Sequence, residues 1–164
     1  MTQVRAATVD DMQAVNDIYN HYVANSAITF DEEPWPLSQR QLWFAKFTDG
    51  PYELLISEHE DQVIGFAYTS AFRPKTAYNR SAEVTVYTNQ QLAPKGAGTK
   101  LYEALLASAE PHFHRLYAVI ALPNPGSLGL HAKLGFKEVG ILNDVGYKFG
   151  VYHSVALLEK QLRL

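Results

Sequence analysis

A mixed α/β domain is predicted by three features of this 164-residue chain. Segments 52–58 and 62–70 alternate around His59-Glu60-Asp61, the pattern of a β-hairpin. Arg115–Ala121 is a nearly continuous apolar run, which predicts a strand buried on both faces. Between them, β-branched residues from Glu83 lead through Pro94-Lys95-Gly96-Ala97-Gly98-Thr99 into an amphipathic stretch from Leu101 to Ala109. That is a strand, a glycine turn and a helix.

The remaining elements follow in order. Val4–Ala7 is a short first strand, and Thr8-Val9-Asp10-Asp11 has a capping-box pattern. Met12, Val15, Ile18, Tyr19 and Tyr22 then recur at helical spacing. Ser38–Phe47 is predicted as a second helix, with Gln41 three residues after Ser38 and an apolar face that includes Leu42 and Phe47. Beyond the 115–121 strand, Pro125–Leu134 forms a short helix stopped at Gly135, and strands near Glu138–Leu142 and Tyr152–Leu158 close the sheet. The predicted order is β-α-α-β-β-β-α-β-α-β-β. No repeat or linker divides it, so residues 1–164 read as one domain.

Composition narrows the function. Hydrophobic residues make up 47% and charged residues 19%, the balance of a globular chain rather than a disordered one. A net charge of -3 without any Lys/Arg block argues against nucleic acid as the main partner. No apolar run approaches the ~20 residues that span a bilayer, and Met1–Arg5 lacks a signal-peptide core, so no membrane partner and a cytoplasmic location are expected. With no cysteine there is no disulfide, thiolate nucleophile or cysteine-ligated zinc. The six histidines show no metal-ligand spacing with acids, so no metal is expected.

The glycine turn is a candidate anion cradle. Backbone N–H groups at a helix start point outward, and the helix dipole favours negative charge there. Lys95, Gly96, Ala97, Gly98 and Thr99 supply consecutive amides, with Lys95 and Lys100 adding charge. An ordinary strand–helix turn has the same composition. Neither Gly-x-x-x-x-Gly-Lys-Ser/Thr nor Gly-x-Gly-x-x-Gly is present, which removes nucleotide-hydrolysing P-loops and dinucleotide sites.

With these residues in place, the chain resembles the GNAT superfamily of acetyl-CoA-dependent N-acetyltransferases over essentially its whole length. The resemblance implies the GNAT fold: a mixed, mostly antiparallel central sheet flanked by helices. In that family a Gln/Arg-x-x-Gly-x-Gly/Ala turn binds the pyrophosphate and pantetheine of acetyl-CoA. Here the turn is Ala93-Pro94-Lys95-Gly96-Ala97-Gly98; Ala93 replaces Gln or Arg, which removes a side chain and leaves the backbone cradle. A closer likeness is to phosphinothricin acetyltransferases, which acetylate the α-amine of phosphinothricin, methionine sulfoximine and methionine sulfone. It is carried by Ile18-Tyr19-Asn20, Thr29-Phe30-Asp31-Glu32-Glu33, Ala82-Glu83-Val84-Thr85-Val86-Tyr87, Leu130-His131-Ala132-Lys133-Leu134-Gly135-Phe136 and Gly146-Tyr147-Lys148-Phe149-Gly150.

Moving an acetyl group from a thioester to an amine needs a base, a positioned carbonyl, an oxyanion donor and a proton for the thiolate. The resemblance makes Glu83 the base, direct or through water; the residue alone also fits a solvated strand end. It implies that the thioester lies along this strand, with the N–H of Val86 or Tyr87 as oxyanion donor and Val86, Tyr87 and Thr88 pairing the pantetheine arm. Ordinary sheet pairing uses the same atoms. It places His131 beside the sulfur as proton donor and Asn124 on the pantetheine arm; a packing histidine and a helix cap are the alternatives. Arg73 and Lys75 suit an acceptor's carboxylate and a second anionic group, with Tyr78 in the same loop and Phe30 walling the site, although such loop cations are commonly just solvated and Phe30 equally suits a core. Members of this branch are typically homodimers, and Tyr147, Phe149 and Tyr152 offer an apolar interface.

Overall fold

The β2–β3 hairpin turns on Glu60 and Asp61, both in the left-handed region (φ 51° and 60°), between the paired residues His59 and Gln62. Such a two-residue turn matches the twist of the strands it joins. In the computed structural model, which describes residues 1–163, the elements are β1 (Thr2–Ala6), α1 (Met12–Asn25), α2 (Leu37–Phe44), β2 (Leu54–His59), β3 (Gln62–Ala71), β4 (Ser81–Thr88), α3 (Ala97–Ala109), β5 (Arg115–Ala121), α4 (Pro125–Lys133), β6 (Lys137–Lys148) and β7 (Val151–Gln161). The element order is the predicted one. The sheet runs β1-β2-β3-β4-β5-β7-β6, antiparallel except between β4 and β5.

Two apolar layers cover the sheet. α3 lays Leu101, Tyr102 and Leu105 over Ala67, Val84, Leu116 and Ala118. α1 lays Met12, Val15, Ile18 and Tyr22 over Leu54, Ile56 and Phe66 on the other face. Strand side chains alternate between faces, so β4 sends Ala82, Val84 and Val86 toward α3, and Glu83, Thr85 and Tyr87 toward α1 and α2. The Thr8–Asp11 capping box forms at a short 3-10 turn before α1: the Thr8 N–H donates to Asp11 Oδ2 at 2.7 Å, and Arg5 grips the same carboxylate at 2.8 Å.

Four expectations are corrected. α2 begins at Leu37 after Pro36, so Ser38 lies inside the helix and caps nothing. Leu42, expected on its apolar face, is 78% exposed, while Arg40 is buried. β5 is not buried on both faces: Val119 is exposed at the cleft that opens where β4 diverges from β5. β6 runs well past Leu142: Asn143 and Asp144 sit inside an irregularity between Leu142 and Gly146, where Asp144 is left-handed (φ 52°), and the strand resumes beyond it.

Candidate active site

Parallel pairing of β4 with β5 covers only Ser81–Arg115, Ala82–Leu116 and Glu83–Tyr117. Past that rung the strands part, opening a cleft of about 290 Å³ lined by Val84–Thr88, Ala118–Ala121 and the start of α4. Ladder bonding decides which amides face it. The Asn89 N–H donates to the Ile64 carbonyl at 2.8 Å. Alternation along the antiparallel ladder then turns the backbone groups of Tyr87, Thr85 and Glu83 toward β3, opposite Phe66, Tyr68 and Ser70. Val84, Val86 and Thr88 turn theirs toward the cleft. Of the two candidate oxyanion donors, the Val86 N–H therefore faces the cleft and the Tyr87 N–H faces β3. The Thr88 carbonyl accepts the Tyr22 hydroxyl.

Glu83 stands at the last rung before the split, half-buried on the α1 side. Burial raises its carboxyl above the ordinary glutamate value, and the Arg73 guanidinium partly opposes that rise. Arg73 is exposed, lies 4.5 Å over the Phe72 ring and donates to the Phe72 carbonyl at 2.8 Å. Phe72 stacks on Tyr117 at 4.4 Å, and Tyr78 meets its edge at 5.9 Å. Since Tyr117 is the β5 partner of Glu83, this stack anchors the basic loop beside the carboxylate. Lys75 is exposed at the start of a short 3-10 turn in the same loop.

At the other end of β4, Gly96 adopts φ 89° as the α3 N-cap, a conformation that glycine permits without strain. The first helical bond runs from the Lys100 N–H to the Gly96 carbonyl at 3.0 Å. The amides of Gly98 and Thr99 precede it and have no intrahelical acceptor. A Cβ on Gly98 would reach 3.4 Å from Thr88 Cγ2, against the cleft wall. These amides fit a phosphate group. Pro94 and Lys95 are exposed on the approach to the cradle. Lys100 is directed elsewhere, its Nζ donating to the Thr2 carbonyl at 2.8 Å.

His131 lines the cleft but is 3% exposed, with both ring nitrogens engaged. Nδ1 lies 2.7 Å from the Ser127 carbonyl, and Nε2 lies 2.8 Å from the Tyr102 hydroxyl. A carbonyl only accepts, so Nδ1 carries the proton and Nε2 accepts from Tyr102. Burial lowers the ring's basicity, which favours this neutral form. Asn124 both lines the cleft and caps α4, its Oδ1 accepting the Ser127 N–H at 3.1 Å. Phe30 is 38% exposed, with its ring against Gly146. Sequence reasoning assigned Tyr22 to the core only and passed over Tyr102; both sit at buried helical spacing, and nothing in the pattern marks their hydroxyls as polar contacts of this site.

The chain matches the family model described as "Acetyltransferase (GNAT) domain" over residues 4–155. It is a GNAT acetyltransferase. Among curated relatives of this GNAT chain, a phosphinothricin N-acetyltransferase of Streptomyces coelicolor is 42% identical, covering 98% of this chain and 96% of that protein. An L-methionine sulfoximine/L-methionine sulfone acetyltransferase of Pseudomonas paraeruginosa is 33% identical over 97% of this chain and 94% of its own. Among solved structures, a GNAT superfamily phosphinothricin acetyltransferase from Sinorhizobium meliloti in complex with AcCoA superposes with a TM-score of 0.94 at 31% identity, covering 98% of this chain and 88% of that one.

Proposed function

We propose that this GNAT enzyme transfers acetyl from acetyl-CoA directly to the α-amine of a small amino acid of the phosphinothricin, methionine sulfoximine or methionine sulfone type. The observation that carries the reading is Glu83: a half-buried carboxylate with raised pKa, beside Arg73, at the rung where the cleft begins. Acetyl-CoA supplies the activated acyl group and a thiolate leaving group. Gly96, Gly98 and Thr99 hold its pyrophosphate, the Ala97 N–H being already donated to the Pro94 carbonyl at 3.0 Å, while the edge of β4 around Val86–Thr88 and the Asn124 side chain hold its arm. Glu83 accepts the amine proton, freeing the lone pair that forms the C–N bond. The Val86 N–H donates to the oxygen as it gains charge, and the C–S bond then breaks. Arg73 holds the acceptor carboxylate, Lys75 a second anionic group, and Tyr78 and Phe30 flank it.

His131 is the proposed proton donor to the thiolate. Its Nε2 now accepts from Tyr102, so donation requires that nitrogen to be protonated first. Replacing His131 by Asn is expected to lower kcat at least ~10-fold and reshape the limb of its pH profile that falls as pH rises through the lowered imidazole value. A smaller loss with an unchanged limb would leave His131 a packing residue.

Among the described residues no helix is long and apolar enough to cross a membrane; we place the enzyme in the cytoplasm with neither nucleic acid nor metal as a partner. We also propose a homodimer. Val145, Tyr147 and Tyr152 are exposed on one face at the end of the β6–β7 hairpin, with the Tyr147 and Tyr152 rings 4.9 Å apart, exposed Phe149 lies in its turn, and its outer strand is a sheet edge. Tyr147→Asp is expected to shift sedimentation from dimer to monomer; a wild-type monomer at micromolar concentration would remove the dimer.

Thiol release from acetyl-CoA, screened over the three named acceptors, common amino acids and polyamines, tests the main reading. Turnover confined to amino acids bearing a second anionic or polar head supports it. Binding of acetyl-CoA without turnover of any acceptor would favour a non-catalytic sensor, and turnover of polyamines would transfer the activity to another amine class.

A further inference from the structure

Lys148 ends β6 and is 1% exposed, yet it forms no ion pair among the described residues. Its Nζ donates instead to two carbonyls, Val23 at 2.8 Å and Thr29 at 2.9 Å. Val23 lies in the last turn of α1, where carbonyls lack helical partners and the dipole favours a cation. Thr29 precedes Phe30 in the loop that joins α1 to α2. Two residues back along the same face of β6 is Gly146. A Cβ there would lie 2.3 Å from Phe30 Cε2, so the Phe30 ring rests directly on the strand backbone. His153, the partner of Gly146 on β7, brings its ring within 6.1 Å of Phe30. The inner face of the hairpin thus holds one loop at three points.

That loop also forms part of the cleft, through Ile28. From the other side Tyr19 bonds both Thr29, at 2.9 Å, and Asp31. Asp31 and Glu32 in the same loop favour the charge without pairing with it, and burial opposes it; for packing alone an apolar residue of similar length would avoid the desolvation cost. A cation that seeks carbonyls does something a methionine does not: it fixes where they stand.

We propose that Lys148 is a positioning residue of the acceptor site. It sets the distance of the Phe30 wall from Glu83, with Gly146 fixing how closely the wall seats on β6. The inference rests on the acceptor reading given above. The Lys148→Met variant tests it through three readouts beside wild type: thermal unfolding, hydrogen exchange of segment 26–33, and kinetics with methionine sulfoximine. Tm should fall by only a few degrees, because the Val23 and Thr29 carbonyls lose their donor while the desolvation cost of the cation is removed. Exchange in 26–33 should quicken ~10-fold while β4 and α3 are unchanged. Acceptor KM should rise ~10-fold, with kcat within ~3-fold and acetyl-CoA Kd within ~2-fold. Unchanged exchange in 26–33, or an acceptor KM that rises only together with acetyl-CoA Kd, would overturn the assignment. If the wild type acetylates no amino acid, the acceptor reading fails separately, and hydrogen exchange still decides whether Lys148 fixes the loop. Gly146→Ala serves if Lys148→Met does not fold. It should alter the ratio of kcat/KM between methionine sulfoximine and phosphinothricin ~5-fold or more, and an unchanged ratio would overturn the inference.

Discussion

Replacing Glu83 by Gln is expected to lower kcat by about 10²- to 10⁴-fold, the range of a positioned general base, and to leave acetyl-CoA Kd within ~2-fold. Glutamine keeps the size and hydrogen-bonding reach of the side chain but cannot take the amine proton. The cradle amides lie at the far end of β4 and do not touch residue 83, so cofactor affinity is decoupled from the substitution. Burial raises the Glu83 carboxyl. The wild-type rate should therefore fall on the acid side at a pH above the ordinary glutamate value, and that limb should vanish in the variant. The same shift has a stability consequence of definite sign. A carboxyl whose pKa is raised by folding is favoured protonated, so the destabilisation from ionised Glu83 is absent below its unfolded pKa. It grows as pH rises through the folded value. Glu83→Gln should accordingly raise Tm at neutral pH. Unchanged turnover would sink the assignment of the base, whatever happened to Tm.

Where hydrophobic period and turn chemistry agreed, the sequence was a sufficient guide. The strand–glycine turn–helix is legible because Gly96 must take a positive φ and the apolar positions of α3 repeat at helical spacing. Glu83 was legible as a position, through its motif on β4. Its chemistry depends on where β4 leaves β5, and no local pattern encodes that divergence. The same divergence separates Val86 from Tyr87, because ladder alternation is a property of the pair of strands. Lys148 was invisible as an inward residue: a lysine flanked by exposed Tyr147 and Phe149 at a hairpin tip reads as solvated, and only tertiary contact with α1 reveals its two carbonyl partners. The reading of α2 failed for a related reason, since an amphipathic pattern places leucine inside and arginine outside.

That inversion leads to the largest expected loss of stability. Arg40 is 2% exposed, and its guanidinium lies 4.6 Å from the Tyr19 ring, 4.2 Å from Trp35 and 4.5 Å from Trp43. Its Nε donates to Asn16 Oδ1 at 3.2 Å, and Nη2 has no hydrogen-bond partner among the described residues. This box joins α1, α2 and the loop between them. Arg40→Ala empties it and leaves the Asn16 oxygen unpaired, which should cost roughly 3–5 kcal/mol. At roughly 2–4 °C per kcal/mol for a chain of this size, Tm should fall by roughly 6–20 °C. Two opposing terms decide the companion variant Arg40→Met. Ring faces attract a desolvated cation by about 2 kcal/mol, but burying a charge with an unpaired N–H is costly, and burial indeed pushes this guanidinium down. Methionine fills the box and makes its own sulfur–aromatic contacts, so it should stay within about 1.5 kcal/mol of wild type. Leu42→Ala, on the exposed face, should change stability by less than about 0.5 kcal/mol. Thermal unfolding of the three variants separates the terms. Arg40→Met as damaging as Arg40→Ala would mean that the cation, not the volume, holds α2 in place.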